Sequence, residues 1–445
     1  MRKLSYFAAL FFGSLVFAAC AGEEEDLFDQ SAAERLNAVK GEYSEILESS
    51  KGGWAMEYYA VNDTITPEGY GYLLLNRYSD NGFVTVAMNN AFSNNVYAED
   101  SSAWEIITDN GPVLTYNTYN NCLHKFSDPD DIPFTSEDET GRGAQGDYEF
   151  VLVDMPKDSK HLMFKGKKRG TYIRMTRLED GTDFKTYLED VQGFHKSLFP
   201  ASAPNYCLLN LGGDSLMYMR NSSEGMPGIY PVGSDPDVTE YEYPFLITKS
   251  EGKYYLRFEN AFKSTDGTDV QEFAYDEKAG RFVSVENSAY TIEGENPDSF
   301  IVSSVADGHS WRLTAGSEMS DNIKSAFADV AASFKSKNST FNYLSFSYTN
   351  GQYVISVNYK PRRSGAVNVL YKYSLSPSKK GLTLTYAGPV NQEGENTLQN
   401  VPTVKKLLDS ISGDYDLAGA ANPFNLSKMK FTDSESKWFT LSYAR

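Results

Sequence analysis

Between residues 54 and 177 the chain breaks into short runs rich in β-branched and aromatic residues, at 54–61, 70–78, 83–88, 103–108, 113–117, 147–153, 160–165 and 171–177. Several joints carry turn chemistry: Asp80-Asn81-Gly82, Asp109-Asn110-Gly111 and Lys168-Arg169-Gly170. Short strands in series, with near neighbours joined by tight turns, predict an up-and-down barrel or a strongly curled antiparallel meander. A helix precedes them. Ser31 and Glu34 form a capping box, Leu36, Val39, Tyr43, Ile46 and Leu47 recur at helical spacing, and Gly52-Gly53 stop the run. Trp54 then opens the first strand and is expected in the core, with the helix packed against the sheet.

The pattern after residue 178 is similar but looser. A helix over 182–198 carries Phe184, Tyr187, Leu188, Val191, Phe194 and Leu198 on one stripe. Pro200 and Pro204 follow it and mark the main domain boundary. Strands are expected at 206–211, 216–220, 245–248, 254–258, 272–275 and 282–285, then at 343–348, 353–359, 367–375 and 382–386. A helix over 320–334 holds Ile323, Phe327, Val330 and Phe334 in register, and a short one holds Val404, Leu407, Leu408 and Ile411. A hairpin at 428–432 and 438–443 ends the chain. The expected fold class is therefore β-dominated α+β. A meander or lipocalin-like barrel with its helix spans 27–178. A second antiparallel β domain with two or three helices spans 179–445, with room for a sub-boundary near 314–340.

The N-terminus reads as an address. Arg2 and Lys3 precede an apolar run from Leu4 to Phe17, broken only by Ser5, Gly13 and Ser14, and Ala18-Ala19 lead into Cys20. That is the layout of a secretory signal, too short to span a bilayer. A Cys directly after small residues resembles the lipobox of bacterial lipoproteins, with Phe17 where the usual Leu would stand. The resemblance implies a signal peptide over 1–19 and lipidation of Cys20. Residues 20–26 then form an acidic tether, Glu23-Glu24-Glu25-Asp26, similar to the surface-export signal of Bacteroides-type lipoproteins. The expectation is an outer-membrane protein exposed at the cell surface, whose lipid is its sole membrane attachment.

Charge and residue usage narrow the chemistry. The net charge is -19, and the leader removes two positive charges and no acid, so the remainder is more acidic still. Such a surface argues against nucleic acid and anionic membrane faces as partners. Cys122 and Cys207 are expected as separate buried thiols. The histidines, His124, His161, His195 and His309, show no paired spacing, and no nucleophile elbow, phosphate loop or dinucleotide fingerprint occurs. Hence no catalytic residue, no cofactor and no metal site is assigned. The acidic stretch 126–146 reads as a loop whose Asp128, Asp130 and Asp131 are calcium candidates only by their oxygen content. Gly166-Lys167-Lys168-Arg169-Gly170 reads as a hairpin turn rather than a phosphate cradle.

The stretch 28–178 resembles a family of uncharacterised lipoproteins of Bacteroides-type bacteria. The carrying residues are Phe28-Asp29-Gln30-Ser31-Ala32-Ala33-Glu34-Arg35, Gly53-Trp54-Ala55-Met56-Glu57-Tyr58, Gly111-Pro112-Val113-Leu114-Thr115-Tyr116 and Gly146-Asp147-Tyr148-Glu149-Phe150. Gly-Gly-Trp at the first strand is also similar to the opening of lipocalin-like barrels, and Asp63-Thr64-Ile65 to the O-glycosylation signal of these bacteria. Members are commonly encoded beside TonB-dependent transporters with SusD-like partners. The resemblance implies a non-catalytic accessory that captures glycans or peptides. Its contacts are expected from exposed aromatics, with Trp104, Tyr119, Tyr241 and Trp311 as candidates. A glycoside hydrolase or peptidase with an unrecognised site, and a structural or inhibitory surface protein, are the alternatives.

Overall fold

The structure, a computed structural model, describes residues 32–60, 71–109, 111–130, 143–155, 160–170, 172–200, 206–213, 216–220, 225, 227–419 and 424–444. The leader, Cys20, the acidic tether, Asp63-Thr64-Ile65 and Asp131 lie outside the described residues. Among those residues, no helix is long and apolar enough to cross a membrane.

The first unit is α1 (Ala32–Glu48) followed by β1 (Trp54–Tyr59), β2 (Gly71–Tyr78), β3 (Phe83–Met88), β4 (Ala98–Thr108), β5 (Pro112–Tyr116), β6 (Glu149–Asp154), β7 (His161–Gly166) and β8 (Tyr172–Arg177). Each strand pairs antiparallel with the next, and β8 returns to β1, so the eight close into a barrel. All the strands expected in this region are present, with ends shifted by a few residues. Gly53 makes the entry possible: its φ is +89°, and a Cβ there would stand 2.7 Å from the Asn76 carbonyl oxygen. Trp54 is fully buried, and its Nε1–H donates to the Leu47 carbonyl at 2.9 Å, tying β1 to the end of α1.

All six residues of β1 are buried, although a strand on a barrel wall normally alternates. Trp54, Met56 and Tyr58 point into the barrel core, while Ala55 joins Leu73, Leu75 and Ala87 in a second apolar cluster on the outer wall. That outer face is covered by the next unit, which removes the solvent side of the alternation.

The second unit begins with α2 (Phe184–Leu198), capped by Asp183, which accepts the Thr186 N–H at 2.8 Å. Its strands are β9 (Tyr206–Asn210), β10 (Leu216–Arg220), β11 (Gly228–Pro231), β12 (Tyr241–Glu242), β13 (Phe245–Ser250), β14 (Lys253–Lys263), β15 (Asp269–Asp276), β16 (Arg281–Ser284) and β17 (Thr291–Gly294), with the short α3 (Pro236–Thr239) before β12. The sheet order is β12-β11-β10-β9-β17-β16-β15-β14-β13. Strands β12 and β13 are neighbours in sequence yet form opposite edges. The meander therefore follows barrel order but stays open at that one seam. Tyr187, Leu188, Val191 and Leu198 of α2 share a cluster with the outer wall of the first barrel and the inner face of this sheet.

The third unit comprises α4 (Pro297–Ala306), β18 (Ser310–Thr314), α5 (Asp321–Ser336), β19 (Ser339–Thr349), β20 (Gln352–Pro361), β21 (Val367–Pro377), β22 (Leu382–Pro389), α6 (Gln392–Asn400), α7 (Thr403–Ser410), β23 (Gly413–Gly419), β24 (Lys428–Ser434) and β25 (Lys437–Ala444). Strand β25 pairs with β18, closing a second eight-stranded barrel. The fold is β-dominated α+β, and the region after residue 178 holds two sheets. A helix leads into each of the three: α1, α2 and α4. The third unit repeats the device of the first, since the buried Trp311 indole donates to Ser304 Oγ at 3.1 Å, again seven residues upstream.

Candidate functional site

The four aromatics singled out in the sequence divide two and two. Trp104 (5 % exposed) and Trp311 (0 %) are core side chains and cannot serve as surface contacts. Strand alternation decides this. Trp104 is in phase with buried Ser102 and Ile106, and its ring stands edge-on to Tyr78 at 4.8 Å; Trp311 is in phase with buried Leu313. Tyr241, 67 % exposed, lies on the two-residue β12 at the open edge of the second sheet. Tyr119, 54 % exposed, lies at a mouth of the first barrel, in the loop after β5.

Tyr119 has company that the sequence did not disclose. Its ring lies 5.2 Å from that of His124 at 30°, and His124 stacks on Tyr148 at 4.9 Å and 26°. Tyr148 is 43 % exposed, whereas His124 is buried between polar and aromatic neighbours. Burial lowers the His124 pKa. Its Nδ1 also accepts the Asn120 N–H at 3.0 Å, which assigns the ring proton to Nε2 and keeps the imidazole neutral. Asn120, itself fully buried, receives the N–H groups of Cys122 and Leu123 on Oδ1 and donates to Ser102 Oγ. The Tyr119 hydroxyl donates to Asp128 Oδ2 at 3.2 Å. The two exposed rings are thus held on a fixed support.

Beside Tyr148 a groove of about 260 Å³ runs between residues 145–149 and the β7–β8 turn, with Ser127, Gln145, Asp147, Lys168 and Arg169 in its walls. Asp147 joins the two sides: its carboxylate accepts the N–H groups of Lys168 at 2.9 Å and Arg169 at 3.0 Å, and its carbonyl accepts the Tyr58 hydroxyl. An internal carboxylate therefore occupies the amides that an external phosphate would need, in keeping with a turn at 166–170. Gly146 is required here, since a Cβ would meet the Tyr58 hydroxyl at 2.1 Å.

A second cleft, of about 440 Å³, opens where the first barrel meets the second unit; Tyr72, Asn89, Asn90, Gln192, His195 and Phe199 are in its lining. Among the described residues, Asp, Glu, Ser, Thr and Cys are absent from that lining. Acid groups perturbed toward neutrality stand outside both clefts. Burial, then Asp307, pushes Glu295 up to about 7. Burial, then Asp416, raises Asp298, and burial raises Glu259.

The thiols are free and buried, Cys122 in the first barrel's core and Cys207 in the second unit's. Burial pushes the Cys122 pKa up to about 12 and raises that of Cys207 as well. Among the described residues, no group of three or more His, Cys, Asp or Glu side chains could hold a metal ion. Of the calcium candidates, Asp128 is engaged by the Tyr119 hydroxyl and by the Asp130 N–H.

No curated protein matches the chain. A solved structure of a putative DNA polymerase III β subunit from Eubacterium rectale aligns over 91 % of this chain and 96 % of its own length at 9 % identity. The TM-score is 0.11, and no property is carried over from it. The model of the domain of unknown function DUF4302 matches residues 24–277, from the acidic stretch through β15, and the chain belongs to that family.

Proposed function

We propose that this chain is a non-catalytic, surface-exposed outer-membrane lipoprotein that holds a glycan or peptide for a TonB-dependent uptake system. The observation that carries the reading is the pair Tyr119 and Tyr148, exposed and fixed on the His124 ring. Flat apolar faces set in a polar rim hold a sugar or an extended peptide without any reacting group. The lipobox-like order ending at Cys20, the acidic tether and the resemblance to transporter-linked lipoproteins supply the address and the partner class. The eight-stranded N-terminal barrel behind Gly-Gly-Trp supports the lipocalin-like reading.

The test is a glycan and peptide panel presented to the purified full chain, with product analysis on every ligand that binds. Binding without turnover, lost in the Tyr119→Ala/Tyr148→Ala double variant, is expected. Product formation abolished by one Asp or Glu replacement would show an enzyme instead. For the address, Cys20→Ala should leave the protein unanchored or its precursor uncleaved, and unchanged membrane retention would remove the lipoprotein reading.

A further inference from the structure

We infer that the groove beside Tyr148 selects an anionic sugar, with the pyranose ring on Tyr148 and its charge between Lys168 and Arg169. The inference rests on the binding reading above and names the ligand class for the same surface.

Acidic residues outnumber basic ones by a net 19 over the chain, yet the groove's own acids are committed. Asp147 is buried and spent on two backbone N–H groups, and Glu149 is spent on Lys167 at 3.0 Å, which Asp109 shares at 2.9 Å. Lys168 and Arg169 are exposed, and among the described residues neither side chain meets a carboxylate. Neither side chain is held in an ion pair with a described residue, so both can turn toward an anion in the groove, where attraction between opposite charges favours it. The guanidinium fork matches a carboxylate or sulfate in two parallel hydrogen bonds, while the ammonium acts as a point charge.

The remaining walls favour a sugar over other anions. Tyr148 offers a half-exposed ring whose far side is backed by His124, so little ordering is needed on binding. Ser127 and Gln145 offer hydroxyl and amide partners for ring hydroxyls. The Asp147 contacts join both walls, so the groove is formed before the ligand arrives. Its volume of about 260 Å³ lies below the usual range for drug-sized ligands and is scaled to a sugar unit or two.

Calorimetric titration of the purified full-length protein with three oligosaccharides tests this. They are an oligogalacturonate, its fully methyl-esterified form, and a sulfated galactan fragment. The oligogalacturonate should bind at least about tenfold more tightly than its ester, with affinity falling as salt is added. The Lys168→Ala/Arg169→Ala variant, altered only at exposed positions, should lose that tenfold and keep its melting temperature. Tyr148→Ala should weaken acid and ester alike. Comparable binding of the sulfated galactan identifies any fixed anion as sufficient, and its failure beside a bound uronate identifies the carboxylate; both support the inference. Equal affinity for acid and ester overturns it while leaving the binding reading intact. Preference for a phosphopeptide or a DNA oligonucleotide over every saccharide also overturns it. A folded protein that binds none of the glycans or peptides overturns both readings.

Discussion

Glu57 and Arg257 lie 200 positions apart in the chain, and Glu57 Oε2 accepts a hydrogen bond from Arg257 Nη1 at 2.7 Å. The other carboxylate oxygen accepts from Arg174 Nε at 2.8 Å, and Arg174 turns its remaining N–H groups to Glu272. Two members come from the first barrel and two from the second unit, so charges alternate across the junction. Burial opposes the charge on Arg174, but Glu57 and Glu272 outweigh it and raise its pKa. Glu57 is fully buried because it sits on β1 out of phase with Trp54, facing the covering unit.

Glu57→Gln is expected to destabilise the protein by about 3–5 kcal/mol, because it strips two poorly exposed guanidinium groups of a counter-charge. Replacing the whole quartet by apolar residues of matching volume should cost far less. Urea denaturation of both variants measures the contrast; a loss below about 1 kcal/mol for the single change would mean that water reaches this junction.

Trp54→Ala should cost about 3–5 kcal/mol for the lost volume. Trp54→Phe is the sharper test, since it keeps most of the ring and deletes the donor to Leu47 O, leaving a buried carbonyl short of a partner at about 1–3 kcal/mol. Trp311→Phe removes the equivalent donor to Ser304 Oγ. Comparable losses in the two Phe variants, read from denaturant midpoints, would establish that the same device carries weight in both barrels.

Neither Cys122 nor Cys207 should react with iodoacetamide in the native protein, because both thiols are buried and burial disfavours the thiolate. Both should alkylate once the chain is unfolded in urea. Mass spectrometry after non-reducing digestion reads the outcome, and a single peptide pair joining the two cysteines refutes the separate-core assignment.

Glu295 sets a pH dependence. Folding raises its pKa from 4.5 to about 7, chiefly by burial and then by Asp307. The folded state therefore prefers the protonated acid. Its contribution to stability is present below about pH 4.5, declines as pH rises, and is gone above about pH 7. Glu295→Gln should leave stability unchanged in acid and add roughly 2–3 kcal/mol above neutrality. Thermal melts across that pH range check the sign, and a Gln variant that is less stable at high pH contradicts it.

Much of the first barrel was legible because its signals are local. Turn dipeptides, a capping box and Gly-Gly-Trp act over a few residues, and the strands they delimit pair with chain neighbours. Farther on, β11, β12, β17 and β18 are only two to five residues long, and β23 carries two glycines. Their apolar content is too slight for a periodic signal, so they stayed invisible. Helices α4 and α6 were missed for another reason: their caps, Asn296 and Asn391, stand beside segments without a clear apolar stripe. The two tight hairpins at Glu251-Gly252 and Asn350-Gly351 share positive φ at both turn residues, the geometry that suits a two-residue turn between twisted strands.

What the sequence determined alone was the β-dominated class, the first meander and Trp54 in its core, since propensity and turn geometry follow from adjacent residues. Only tertiary structure decided which face the candidate contact aromatics take. One step in strand phase puts Trp104 inside, and its support on His124 leaves Tyr148 out. The same holds for charge: Glu57 and Lys168 look alike as isolated polar residues, but one is buried against two arginines and the other is exposed, with no ion-pair partner among the described residues. Pairing across long sequence separations depends on closure of the barrel and docking of the second unit, and no local run of residues encodes that distance.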